Sequence, residues 1–307
     1  MYPREPQRHP VPSGPSGIAA GAGVTRHEAD VGGIRMRWDE YGDGIPVVLV
    51  HGIPTSPRLW RYVMPRIHGA RVIAWEMVGF GDSIPERHGR DISVRAQAGH
   101  LLDWMRSQGI DRAVFGGHDL GGGVVQIAAL REPERCLGLL LTNAIGYDSW
   151  PVPSVKALRA SEALTRHMPD AIAKTGVFGM LMARGHDNEA TAEESLELHW
   201  APYEQHGAAD ALLDQIDALD VDDTLAIADR VPTLAGVPSR VIWGMADSFQ
   251  KPEYGERFAR DLGVVLEPID GGKHFTPEDH PDRIAATLNS LVAEVALRGG
   301  HAGAPLH

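Results

Sequence analysis

The run GGHDLGGG, residues 116 to 123, sets a single carboxylate, Asp119, between glycines at 117 and 121. The apolar stretch RAVFGG (112–117) before it reads as a buried strand, and the residues from Gly121 onward read as a helix. Glycines two residues to either side permit a tight strand-to-helix turn that pushes the central side chain outward. A serine so placed would attack acyl carbon and give an ester that water can later open. A carboxylate attacking an acyl group would give an anhydride, a poor intermediate. At a saturated carbon bearing a leaving group, the same carboxylate gives an alkyl ester. The residue type therefore predicts displacement at carbon. The competing reading, Asp119 as a helix cap, has no need of glycine on both sides.

The elements around this turn follow a repeating pattern. IRMRWDEYG (34–42) alternates as a half-exposed strand and ends at a Gly-Asp-Gly turn. PVVLVHG (46–52), RVIAWE (71–76), LGLLLTN (137–143), RVIWGM (240–245) and VVLEPI (264–269) are short, nearly continuous apolar runs, as in strands buried on both faces. Helical periodicity lies between them at 94–108, 121–131 and 281–297. Strands alternating with helices predict an α/β fold built on a mostly parallel, doubly wound sheet, with eight strands expected. The alternation breaks over 147–230, where only helix-like stretches occur, such as SVKALRASEALTRHM, EESLELHW and ADALLDQIDALD. These residues are expected to form a helical cap over the strand ends, inserted into a core made of 24–146 and 231–298. The Pro, Gly and Ser-rich residues 1–23 and the tail 299–307 are expected to be disordered.

Bulk properties narrow the function. With 307 residues, 43% hydrophobic and 23% charged, the chain suits one large soluble domain with an insertion. A net charge of −12 without a Lys/Arg stripe argues against nucleic-acid binding. No apolar run reaches membrane-spanning length, and the N-terminus lacks the apolar core of a secretory signal. The single cysteine, Cys136, excludes an internal disulfide and fits a reducing compartment, so a cytoplasmic location is expected. A small-molecule substrate is the expected partner, with the chain acting as a monomer or homodimer. The 15 histidines form no convincing ligand pair with a carboxylate, so no metal and no other cofactor are expected.

Four places carry a family resemblance: HGIPTSPRLWR (51–61), GFGDS (79–83), GGHDLGG (116–122), and the pair WGMADSF (243–249) with GGKHFTPEDHP (271–281). They resemble the α/β-hydrolases, in particular the branch with an aspartate nucleophile that holds epoxide hydrolases and haloalkane dehalogenases. The resemblance frames residues 34 to 297 and implies the order nucleophile, acid, histidine as Asp119, Asp247, His274. His280 is the local competitor of His274, and His118 belongs to the turn as a structural residue. The fold position implies that the backbone N–H groups of Ile53 and Leu120 form an oxyanion hole.

The leaving group is less plainly written. Dehalogenases of this kind usually place Trp after the nucleophile and often Asn in the HGxP segment, where this chain has Leu120 and Ile53. Arginines that would bind a carboxylate substrate are missing from DLGGGVVQ. Trp150 and Trp200 are the remaining halide candidates. For an epoxide, Tyr147 and Tyr203 in the cap could protonate the oxygen. An epoxide hydrolase acting on an apolar or aromatic epoxide, giving a vicinal diol, is the first expectation. A dehalogenase-like enzyme with an atypical halide site is the alternative, and a non-catalytic ligand-binding member of the fold the third. Glu76 stands at a strand end without an assigned catalytic role.

Overall fold

The computed structural model describes residues 7–9, 23–151, 153–160 and 168–301. Its strands are β1 (Gln7–His9), β2 (Thr25–Val31), β3 (Ile34–Tyr41), β4 (Ile45–Val50), β5 (Ala70–Trp75), β6 (Ala113–Asp119), β7 (Cys136–Ala144), β8 (Ser239–Gly244) and β9 (Leu266–Ile269). They form one sheet in the order β1-β2-β3-β5-β4-β6-β7-β8-β9. Every pair from β5 through β4 to β9 is parallel, and the β1–β2, β2–β3 and β3–β5 pairs are antiparallel. The eight strands from Thr25 to Ile269 match the expected sheet. β1 is a ninth, lying within the segment expected to be disordered. Its backbone pairs with β2, whose edge groups would otherwise lack strand partners. The remaining residues of that segment up to 22, and residues 302–307, lie outside the described residues.

Why the interior strands read as unbroken apolar runs is visible in their packing. Val48 and Val50 of β4 join one core cluster, and Val47 and Leu49 join another. Successive side chains leave opposite faces of a strand, so a strand covered on both faces must be apolar throughout. One face is covered by α1 (Val94–Ser107) and α2 (Leu120–Arg131), with Leu101, Trp104, Val124 and Ala128 in that cluster. Ser93 starts α1 by accepting a hydrogen bond from the Ala96 N–H. Every residue of α2 from Leu120 to Leu130 is buried, in keeping with its apolar character all round.

Between β7 and β8 no strand occurs among the described residues. This region carries α3 (Pro153–Ala160), α4 (Gly179–Gly185), α5 (Glu189–Gln205) and α6 (Ala208–Asp217). Residues 161–167 of the expected helical stretch SVKALRASEALTRHM lie outside the described residues. After β8 come α7 (Pro252–Leu262) and α8 (Pro281–His301). α8 covers the other face with Leu288, Leu291 and Val295, and it continues into the first residues of the expected irregular tail.

The chain runs from β4 outward to β5 on one side and returns to β6 on the other. Such a reversal of direction opens a crevice at the carboxyl ends of the two central strands. Ile53 follows β4 and Asp119 ends β6, so the topology brings them together.

Candidate active site

Asp119 takes the conformation φ 50°, ψ −121°, an uncommon one for a residue with a side chain. Close packing explains the glycines around it. A Cβ on Gly117 would stand 2.4 Å from the Gly121 carbonyl oxygen, and one on Gly121 would stand 2.1 Å from that of Val50. The Asp119 carboxylate makes no capping hydrogen bond to the helix that follows, against the reading of it as a helix cap. Instead Oδ1 accepts from the Ile53 N–H at 3.0 Å, and the nearby Leu120 N–H favours the charged carboxylate.

His274 faces the other oxygen. Its Nε2 lies 3.7 Å from Asp119 Oδ2, beyond direct hydrogen bonding, while its Nδ1 donates to Asp247 Oδ2 at 2.8 Å. Asp247 is itself held from several sides: Oδ1 accepts from the N–H groups of Phe249 and Gln250, and Oδ2 from Asn143 Nδ2 at 2.7 Å. All three expected residues thus converge, each buried. His280 is elsewhere, bonded through Nε2 to Asp187 at 2.7 Å. His118 lies beneath, with Nε2 bonded to the His274 carbonyl at 3.0 Å and its ring against the His274 ring.

Asn143 was missed by sequence reasoning. Its Oδ1 accepts from Thr276 Oγ1 and the Gly244 N–H, so one amide ties the Asp247 loop, the His274 loop and β7 together. The available signal was a polar Thr-Asn pair ending the apolar run LGLLLTN, at the end of the strand where sites form.

Burial raises the pKa of Asp119, although His274 and the Leu120 and Ile53 N–H groups pull against it. For His274, burial acts to lower the pKa. The Asp247 carboxylate with its hydrogen bond, and then Asp119, outweigh that and leave it above the ordinary histidine value. Burial holds His51 down at about 3, so its ring is neutral. Nδ1–H then donates to the Gly52 carbonyl and Nε2 accepts from the Met77 N–H. Glu76 is also structural here: Arg26 and Ser83 bind its carboxylate at 2.5 and 2.7 Å.

A cavity of about 270 Å³ opens over Asp119 and His274. Its wall is mostly apolar and includes Leu212, Ile216, Phe249 and Trp150. Three of the four expected leaving-group residues do not line it. The Tyr147 hydroxyl donates to Asp261 at 2.8 Å while Arg257 covers its ring, and that of Tyr203 donates to Gln215 at 2.6 Å. Neither tyrosine lines the cavity, nor does Trp200, which packs on Tyr203. Trp150 does line it, but its indole N–H is spent on Thr224 Oγ1 at 2.6 Å. The cause is packing: the polar tips of Tyr147, Tyr203 and Trp150 each found a protein partner, as buried tips tend to.

Comparison with known proteins agrees with this architecture. The family model described as "alpha/beta hydrolase fold" matches residues 45–281. The chain belongs to the α/β-hydrolase fold family. Within this family, it is 29% identical over 266 residues to "Haloalkane dehalogenase 2" of Mycobacterium tuberculosis, covering 83% of this chain and 90% of that protein. It is 34% identical over 145 residues to "Bifunctional epoxide hydrolase 2" of Rattus norvegicus, covering 47% of this chain and 25% of that one. A solved haloalkane dehalogenase from Bradyrhizobium elkani superimposes with a TM-score of 0.73 at 22% identity, covering 90% of this chain and 99% of that one. The protein is therefore an α/β-fold hydrolase related to haloalkane dehalogenases and epoxide hydrolases. Among the described residues, no helix is long and apolar enough to cross a membrane, and no three His, Cys, Asp or Glu side chains converge as metal ligands.

Proposed function

We propose that this α/β-hydrolase cleaves a bond at saturated carbon by forming an alkyl ester on Asp119. The observation that carries this reading is the position of the Asp119 carboxylate, with Oδ1 held by the Ile53 N–H and Oδ2 turned toward His274. Oδ2 is the oxygen free to attack. It bonds to the substrate carbon as the carbon–leaving-group bond breaks and its electron pair departs with the leaving group. His274 Nε2 then takes a proton from water, and the hydroxide adds to the Asp119 carboxyl carbon. The resulting oxyanion lies where the Ile53 and Leu120 N–H groups already point. Collapse expels the product alkoxide, which takes the proton from His274, and the Asp119 carboxyl releases the proton left by the added hydroxide to solvent, which restores the carboxylate. Asp247 orients the imidazole and stabilises its cation. Residues 147–230 act as a cap that keeps bulk water from the ester.

The placement of the two tyrosines removes the support that an epoxide reading drew from cap phenols. An epoxide oxygen needs a proton as it leaves, whereas a halide departs as a stable anion. The relative named a haloalkane dehalogenase, matched over most of both chains, favours a carbon–halogen substrate in the same direction. The His274→Gln protein, incubated with 1-bromohexane or styrene oxide, tests both points by intact mass. An adduct weighing the bromide less HBr is expected, and it should be absent from the Asp119→Ala protein. An adduct of the whole epoxide, without one from the bromide, would restore epoxide opening. Turnover of either compound by the wild type with no adduct on His274→Gln would overturn the ester.

The pH profile follows from the His274 pKa. The imidazole must be neutral to take a proton, so activity is present above its raised pKa and is lost as pH falls through it. Protonation of Asp119, also raised, acts in the same direction. The acid limb of kcat/KM is expected above the ordinary value of 6.5, and a limb below it would contradict the assignment.

A further inference from the structure

Gln250 is held in place by its backbone. Its N–H donates to Asp247 Oδ1 at 3.1 Å, and its carbonyl accepts the Trp243 indole N–H at 2.8 Å. Its side chain lines the cavity beside Asp119 and His274 and is only 2% exposed. The amide Oε1 is buried with no hydrogen-bond partner. Among the described residues, Nε2 makes no hydrogen bond either. Apart from Asp119 and His274 the rest of the cavity wall is apolar, so a side chain of Leu or Met would fill the same place without burying an unpaired amide. The Trp150 N–H is already taken, so it cannot be the partner that this amide lacks.

We propose that the Gln250 amide binds a hydroxyl group of the substrate, which is then an apolar molecule carrying that hydroxyl in addition to the carbon attacked by Asp119. A hydroxyl suits the site because it both donates and accepts, matching an amide that offers one C=O and one NH₂ whichever way the group is turned. A ligand without it leaves Oε1 unpaired in an apolar cavity, and a buried acceptor left unpaired is discriminated against. This inference rests on reading the cavity as the substrate site proposed above.

The test uses two unreactive probes of similar shape, benzyl alcohol and ethylbenzene, titrated by calorimetry into the wild type and the Gln250→Met protein. The ratio of the two dissociation constants is expected to shift against the alcohol by roughly ten-fold in Gln250→Met. An unchanged ratio would overturn the proposal. The melting temperature of Gln250→Met should equal or exceed that of the wild type, because an unpaired buried amide is removed. A lower one, or failure of the variant to fold, would mean that the amide already serves the fold, and would equally overturn it. Binding needs no covalent step, so the contrast reads Gln250 even if no ester forms on Asp119. An ester formed on His274→Gln with no contrast between the probes would leave the ester reading standing and remove this one alone.

Discussion

Turnover by the Asp119→Ala protein is expected to fall by roughly 10⁴-fold or more in kcat, with substrate affinity much less affected. No other nucleophile stands in its place. The described residues lining the cavity are otherwise apolar side chains, the His274 imidazole and the Gln250 amide. His274 could at best act on water directly, without an ester to attack and without the carboxyl oxygen that the Ile53 and Leu120 N–H groups are set to hold. Circular dichroism would check that the variant folds, since Asp119 occupies a strained turn that alanine must also adopt. Asp119→Asn is the poorer choice, because deamidation would regenerate the carboxylate. Retention of most of the activity by the alanine protein would eliminate Asp119 as nucleophile.

The second large effect concerns stability. Arg61→Leu is expected to cost roughly 3–5 kcal/mol at pH 7, read by urea unfolding. Arg61 bonds to Glu194 at 2.8 Å and to the fully buried Glu278. Glu278 also accepts from Ser195 and pairs with His199 at 2.8 and 3.1 Å, so one carboxylate links the segment after β4, the helix α5 and the loop of His274. Burial by itself would raise the Glu278 pKa. Arg61, then His199 and His186, overcome that and hold it well below the ordinary carboxylate range. A depressed carboxylate contributes stability above its unfolded pKa and loses it as pH falls. The deficit of Arg61→Leu should therefore be largest at pH 7 and shrink below the ordinary value of 4.5. A loss under about 1 kcal/mol would mean that the pair behaves like an exposed one.

Arg61 shows how far a motif can be read. It stands in the quoted run HGIPTSPRLWR, yet nothing adjacent to it in sequence announces a buried acid partner 217 residues away. Asn143 is similar, since its bond to Asp247 spans 104 residues. The tyrosines fail for a related reason. Their positions between β7 and β8 were legible, but the direction of each hydroxyl was settled by packing against Asp261 and Gln215. Gln250 drew no notice in the sequence because a glutamine after a turn is ordinary, and only its burial without a partner marks it.

What the sequence determined by itself is the part governed by short-range rules. Apolar runs alternating with helical periodicity specified the parallel sheet, and glycines at 117 and 121 specified a turn that isolates Asp119. The carboxylate, by its own chemistry, points to the ester at saturated carbon proposed above. The tertiary structure alone decided which side chains face the cavity, which polar tips are already paired, and which acid sits against which base. Backbone conformation follows from neighbours along the chain, whereas a side chain's partners come from segments that meet only when the core closes.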